Sequence, residues 1–328
     1  MTTCETDGVE MTTRDEQTLR VVRRWAAADD VVALELADVD GGTLPVWAPG
    51  AHIDMVLPDG NVRQYSLCGD PADRLTWRVG VLLERDGRGG SRWIHERLGE
   101  GDLLTTRGPR NHFALEPASR YLFIGGGIGI TPILPMIASA RSAGAEIEVA
   151  YGGRTRESMA FLNELADLGD RVELAPQSEV GLLDLDRLLA NPAPGTLIYC
   201  CGPGTLLDAV EERVGHWPEG ALRVERFSAR SDVQLASGAD QAFEVELAQS
   251  GTVLQVPADR TLLSVLEDAE ADVISSCAEG TCGSCETAVV AGDIDHRDSV
   301  LSDAERAAGD RMMVCVSRCR GAKLVLDL

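Results

Sequence analysis

The sequence predicts three domains of different architecture in one chain: an antiparallel β-barrel, a doubly wound α/β domain, and a small α+β domain that carries a cysteine loop. Three observations predict this. Between residues 18 and 113, apolar and polar positions alternate in short runs that end in turn residues. From 120 to 228 the runs become continuously apolar and alternate with amphipathic helical segments. After a polar stretch at 228–241 the chain resumes as strand, strand, helix and then the loop CAEGTCGSC at 277–285.

The barrel is assigned to 18–117. Its strands are TLRVVRRWAA, VVALELADVD, AHIDMVLPDG, VRQYSLCGD and LTWRVGVLLER, and one helix, SRWIHERL, breaks the series. The doubly wound domain is assigned to 118–228. YLFIGG, EIEVAYGG, RVELAPQ and TLIYCCGP are its buried strands, and ILPMIASARSAG, MAFLNELADLG, DLDRLLA and TLLDAVEERVGHW its helices. A linker is expected at 229–241 and the third domain at 242–328. Residues 1–17, with neither a basic start nor an apolar run, read as a disordered tail rather than a signal peptide.

Composition excludes several function classes. A net charge of −23 over 328 residues argues against nucleic acid, whose phosphates require a basic face, and against anionic lipid. No run approaches the ~18–20 apolar residues of a membrane span. The chain is expected to be cytoplasmic and monomeric. There, clustered cysteines mean metal or redox chemistry before disulfides.

Cys277, Cys282 and Cys285 follow C-x4-C-x2-C, and Cys315 in the apolar stretch MMVCVSRC supplies a fourth thiol. This is the plant-type [2Fe–2S] spacing. Zinc is the alternative, but structural zinc sites pair two short C-x2–4-C hairpins. Buried core thiols fail because the loop is small and polar. Gly280 and Gly283 let the backbone wrap closely and aim N–H groups at sulfur. Cys319 is a weaker candidate than Cys315, and Cys4 and Cys68 read as ordinary thiols. His112 and His296 are assigned no chemistry.

Gly125, Gly126 and Gly127 sit between an apolar strand and a helix opening with Thr131 and Pro132. A bare turn there admits a pyrophosphate to a helix N-terminus. YCCGP at 199–203 ends a second strand at the same switch point, so a nicotinamide dinucleotide is expected. A hydride carrier and a one-electron cluster need a flavin between them. In RQYSL, Arg63 and Tyr65 share a strand face, suited to a flavin phosphate and ring. GRGGS offers Arg88, a glycine turn and the Ser91 hydroxyl to a phosphate.

In this order, RQYSLCGDP, GRGGS, GGGIGITP, YCCGP, VERFS and CAEGTCGSC…C resemble the phthalate dioxygenase reductase and vanillate O-demethylase reductase family across nearly the whole chain. The resemblance implies an FMN barrel, an NAD domain and a C-terminal plant-type ferredoxin of β-grasp fold. It implies electron transfer from NADH to a terminal oxygenase, a Rieske protein by family. It places the flavin against Arg63, Gln64, Tyr65 and Ser66, the ring along Gly80, Val81 and Leu82, and the phosphate on Arg88, Gly89, Gly90 and Ser91. Thr131 would touch the flavin and Phe227 cover it. Cys201, Gly202 and Pro203 would flank the nicotinamide, with Arg154 near the adenosine. Cys277, Cys282, Cys285 and Cys315 would ligate iron. No acid–base residue is implied. FMN over FAD rests on the family and GRGGS. NADH rests on the family alone, since Arg154 and Arg156 would also suit a 2′-phosphate. A haem-thiolate monooxygenase as acceptor and a non-enzymatic iron–sulfur sensor are the rival readings.

Overall fold

The structure, a computed structural model, describes residues 16–229 and 240–328; Cys4, most of the expected tail and most of the expected linker lie outside them. The barrel comprises β1 (Glu16–Ala28), β2 (Val31–Asp38), β3 (His52–Val56), β4 (Val62–Ser66), β5 (Thr76–Leu82), helix α1 (Gly90–Arg97) and β6 (Leu103–Arg110). The first strand begins inside the stretch read as tail, because Glu16 and Gln17 pair with Arg107 and Thr106 of β6. The sheet order is β4-β3-β6-β1-β2-β5, and a bridge between Leu67 and Val79 joins its two ends. Sequence alternation missed β6, whose second half contains Gly108 and Pro109 and buries no apolar side chain.

A second, parallel sheet follows: β7 (Arg120–Gly126), α2 (Ile130–Ser142), β8 (Glu146–Gly153), α3 (Leu162–Leu165), β9 (Val172–Pro176), α4 (Gln177–Val180), α5 (Leu185–Leu189), β10 (Thr196–Cys201), α6 (Gly204–Arg213) and β11 (Leu222–Glu225). Its order, β11-β10-β7-β8-β9, places the switch point between β7 and β10. The helix expected over MAFLNELADLG is broken. Phe161 is left-handed (φ 61) at the start of α3, and Gly169 (φ 55) interrupts the tighter turns that follow. Phe161 adopts that conformation where its ring packs on Gly80 and under the Arg78 guanidinium. Val31, Ala33, Cys68 and Phe113 of the barrel share one apolar core with Phe123, Ile130 and Tyr151. Burial pushes the Cys68 thiol up to about 12, as for an ordinary core thiol.

The C-terminal unit comprises β12 (Phe243–Leu247), β13 (Thr252–Val256), α7 (Leu262–Asp268), β14 (Glu286–Ala291), β15 (Ile294–Asp295), α8 (Asp303–Ala308), β16 (Arg311–Met313), β17 (Arg318–Cys319) and β18 (Lys323–Leu326). The mixed sheet β13-β12-β18-β14-β16 packs Val245, Leu324 and Met312 against Leu262 and Leu266 of α7. Among the described residues no helix is long and apolar enough to cross a membrane.

Candidate functional site

The loop from residue 277 to 285 leaves α7 and enters β14. Ala278, Gly280 and Gly283 have positive φ of 56, 69 and 73°, which curl the chain back on itself. Cys277, Cys282, Cys285 and Cys315 are each at most 3% exposed. Cys277 lies within hydrogen-bonding range of Cys282 and Cys315, and Cys315 within range of Cys285. Those contacts hold the Cys277 thiol far below the usual range and push Cys282 and Cys315 far above it. Backbone donors also point inward, with Glu279 N–H 3.3 Å from Cys277 Sγ, and Ser284 Oγ lies 3.1 Å from Cys282 Sγ. The four thiols thus form one buried set, in the spacing of a plant-type two-iron cluster. Cys319 stands apart on β17, opposite Ile294.

The barrel motifs converge beside this loop. Gly90 lies under the Arg63 side chain, since a Cβ there would sit 2.7 Å from Arg63 Cγ and 2.9 Å from Nε. Arg63 donates to the Arg88 carbonyl at 3.3 Å, and burial together with the neighbouring Arg88 charge lowers its pKa. Two adjacent cations at the start of α1, where Gly89 has φ 89°, form an arrangement that could hold a phosphate dianion. The Ser91 hydroxyl accepts from Glu84 N–H at 2.9 Å. The Tyr65 phenol is raised by burial against the barrel core. Ser66 is buried and lines a cavity with Arg63, Gln64 and Arg88. On β5, Val81 points into the core and offers its backbone, whose carbonyl is 2.9 Å from His95 Nε2. Leu82 packs toward the parallel sheet. Gly80 lets Thr131 approach: a Cβ there would lie 2.9 Å from Thr131 Cγ2.

The two turns at the switch point touch backbone to backbone. A Cβ on Gly202 would fall 2.9 Å from Gly126 Cα, and one on Gly126 2.8 Å from Pro203. Gly129, in the same glycine run but assigned no role from sequence, is tighter still, because its Cβ would be 2.3 Å from the Cys201 carbonyl oxygen. Gly125 packs under Ile130, whereas Gly127 (φ 55°) has open space above it. Sequence reasoning also missed Glu225, register partner of Cys201 across β10 and β11. The Cys201 thiol donates to Glu225 Oε2 at 3.8 Å, and burial pushes the Glu225 carboxyl up to about 8. Phe227, 43% exposed, lines the same cavity as Arg63 and Cys282. That cavity therefore draws walls from all three units. Arg154 is exposed at the end of β8, and Arg156 is held by Glu179 through two bonds of 3.1 and 2.7 Å.

Residues 245–320, which include all four clustered cysteines, match the family described as the 2Fe-2S iron-sulfur cluster binding domain. The chain is 38% identical over 316 residues to phthalate dioxygenase reductase of Burkholderia cepacia, covering 94% of this chain and 97% of that protein. It is 41% identical over 312 residues to vanillate O-demethylase oxidoreductase of Pseudomonas sp. (strain HR199 / DSM 7063), covering 92% and 96%. A solved phthalate dioxygenase reductase superposes with a TM-score of 0.70 at 37% identity, over 97% of this chain and all of that one. An intact type IV self-sufficient cytochrome P450 monooxygenase gives 0.90 at 47% identity over 95% of this chain, which spans only 41% of that longer one.

Proposed function

The chain belongs to the phthalate dioxygenase reductase and vanillate O-demethylase reductase family, and we propose that it is the reductase component of a Rieske oxygenase, fed by NADH. The barrel residues 18–117 hold FMN, residues 118–228 bind NADH, and residues 242–328 form the ferredoxin. The observation that carries this reading is the single cavity bordered by Arg63 and Arg88 of the barrel, Phe227 after β11, and Cys282 of the thiol loop. Three binding surfaces meet there without an intervening domain.

Arg63, Arg88 and the N-terminus of α1 would hold the FMN phosphate. Tyr65, Ser66, the backbone of Gly80, Val81 and Leu82, and Thr131 would bound its ring. Cys277, Cys282, Cys285 and Cys315, each at most 3% exposed, would hold the iron pair. When bound, FMN supplies the exchange between hydride and single electrons. The chain itself contributes position. Open space over Gly127 admits the dinucleotide pyrophosphate to α2, and Cys201, Gly202 and Pro203 set the depth of the nicotinamide. Phe227, exposed at the cavity, must yield for the nicotinamide to arrive. A Glu225 carboxyl that stays protonated near neutral pH keeps negative charge away from that path. Arg154 remains available to the adenosine end.

A second reading of the outlet is supported by the likeness to the self-sufficient P450: the acceptor would be a haem-thiolate oxygenase. Visible spectra test the core of the proposal. Purified protein should show overlapping flavin and iron–sulfur bands that bleach with NADH, and zinc in place of iron would overturn it. Reduction of a Rieske oxygenase, compared with that of a P450, by the NADH-loaded protein decides the outlet.

A further inference from the structure

We propose that His112 and Gln64, both from the barrel, are positioning residues that seat the thiol loop on the flavin face in one fixed orientation. The proposal rests on the reading that FMN occupies the cradle between β4 and α1. Its evidence is the contact between barrel and thiol loop, in which His112, Gly283 and Ser276 have no part in the flavin assignment.

Gly283 sits between Cys282 and Cys285 with φ 73°. A Cβ on it would lie 2.1 Å from His112 Nε2, 2.5 Å from Cε1 and 2.6 Å from Cδ2. The ring therefore fills the space a side chain would take. Gly280 differs, because its Cβ would strike Val316 and Asp298 of its own domain. The second glycine of the loop is thus a notch for another domain, not only a device for wrapping irons.

Gln64 makes the neighbouring contact. Its amide donates to Ser276 Oγ at 2.7 Å, one residue before the first cysteine, and to Asp54 Oδ1 at 2.9 Å. Asp54 is fully buried and pairs with Arg110 at 2.6 Å, whose side chain is 8% exposed. A buried pair of this kind tolerates little displacement, because separating it strands a charge. It anchors Gln64 directly, and it anchors His112 through the two-residue step from Arg110. His52, 5% exposed, flanks the His112 ring at 6.2 Å between centroids. At the rim, Arg88 pairs with Glu279 at 3.2 Å and donates to the Cys277 carbonyl at 3.4 Å. That pair is partly exposed and steers more than it holds. The centre of the contact is steric and uncharged.

The test compares His112→Ala, His112→Phe and Ser276→Ala in the flavin- and iron-loaded protein. Hydrogen exchange is read at residues 276–285, and NADH-driven reduction is followed with ferricyanide and with cytochrome c. His112→Ala should speed exchange across the loop while leaving β12 and β18 unchanged. Cytochrome c reduction should fall by about tenfold, while ferricyanide reduction stays within about twofold, as for a site loosened by roughly an ångström. His112→Phe, which keeps a ring in the notch, should restore both. Ser276→Ala should give a smaller change of the same pattern, and it carries the test if His112→Ala does not fold. Unchanged exchange and unchanged cytochrome c reduction in both alanine variants would overturn the proposal. Wild-type protein without NADH-dependent cytochrome c reduction would instead sink the functional reading, while the exchange data would still report on the docking.

Discussion

Cys315 and Cys319 lie four positions apart, yet only Cys315 is buried with the thiols of the loop. Its apolar neighbours Val314 and Val316 bring it under the loop, whereas Cys319 is half-buried on a short ribbon. Cys315→Ser is expected to lose iron on purification, and Cys319→Ser to keep the full iron content; metal analysis of both checks the ligand set. That Cys315 rather than Cys319 lies with the loop thiols was legible because spacing and flanking hydrophobicity are sequence properties. Glu225 was not, since its burial and its Cys201 partner arise from the parallel register of β10 and β11. Burial raises its carboxyl from 4.5 to about 8, so over that interval the folded chain holds a proton the unfolded chain has released. The associated stability is complete below 4.5 and is lost as pH rises through about 8. Glu225→Gln removes this titration. Its Tm relative to wild type should therefore climb between about pH 5 and about pH 9, by about 2–4 °C for each kcal/mol.

At the level of elements, the turn from β7 into α2 separates two uses of glycine. Gly129 has no room: a methyl group would meet the Cys201 carbonyl carbon at 2.4 Å. Gly129→Ala should cost about 1–3 kcal/mol from overpacking and lower Tm. Gly127 has room but a φ of 55°, so Gly127→Ala should cost about 1–2 kcal/mol of backbone strain. Its methyl group would stand in the space proposed for the dinucleotide, so KM for NADH should rise more than in Gly129→Ala for the same loss of Tm. Thermal melts paired with steady-state kinetics separate the two. The sequence announced this turn through its three consecutive glycines but gave no hint of which were packed and which were open, because the packing partner is a second turn some 75 positions away. Strands of the barrel were legible by alternation except β6, and the segment read as one helix after β8 was broken by the fit of Phe161 against Gly80.

Across the whole molecule, the three architectures were legible from periodicity and cysteine spacing, but their meeting was not. Gln64 and Ser276 are 212 positions apart, and nothing local in either marks a partner. The same assembly sets up a contrast in salt dependence. From Asp240 onward the chain carries 17 acidic and 7 basic residues, so the domain proposed to deliver electrons is strongly negative. Its contact with the barrel instead centres on an aromatic ring in a glycine notch and an amide–hydroxyl bond. Screening weakens long-range attraction between exposed charges and hardly affects steric or buried contacts. Raising salt from about 0.05 to about 0.5 M should therefore slow electron delivery to a basic-faced partner by about tenfold, mainly through encounter. Single-turnover bleaching of the iron–sulfur band by NADH should stay within about twofold over the same range, because that step depends on the uncharged interlock. Stopped-flow measurement of both on one preparation checks the contrast. Equal loss in the two steps would mean that charge pairs such as Arg88–Glu279, rather than His112 in its notch, hold the domains together.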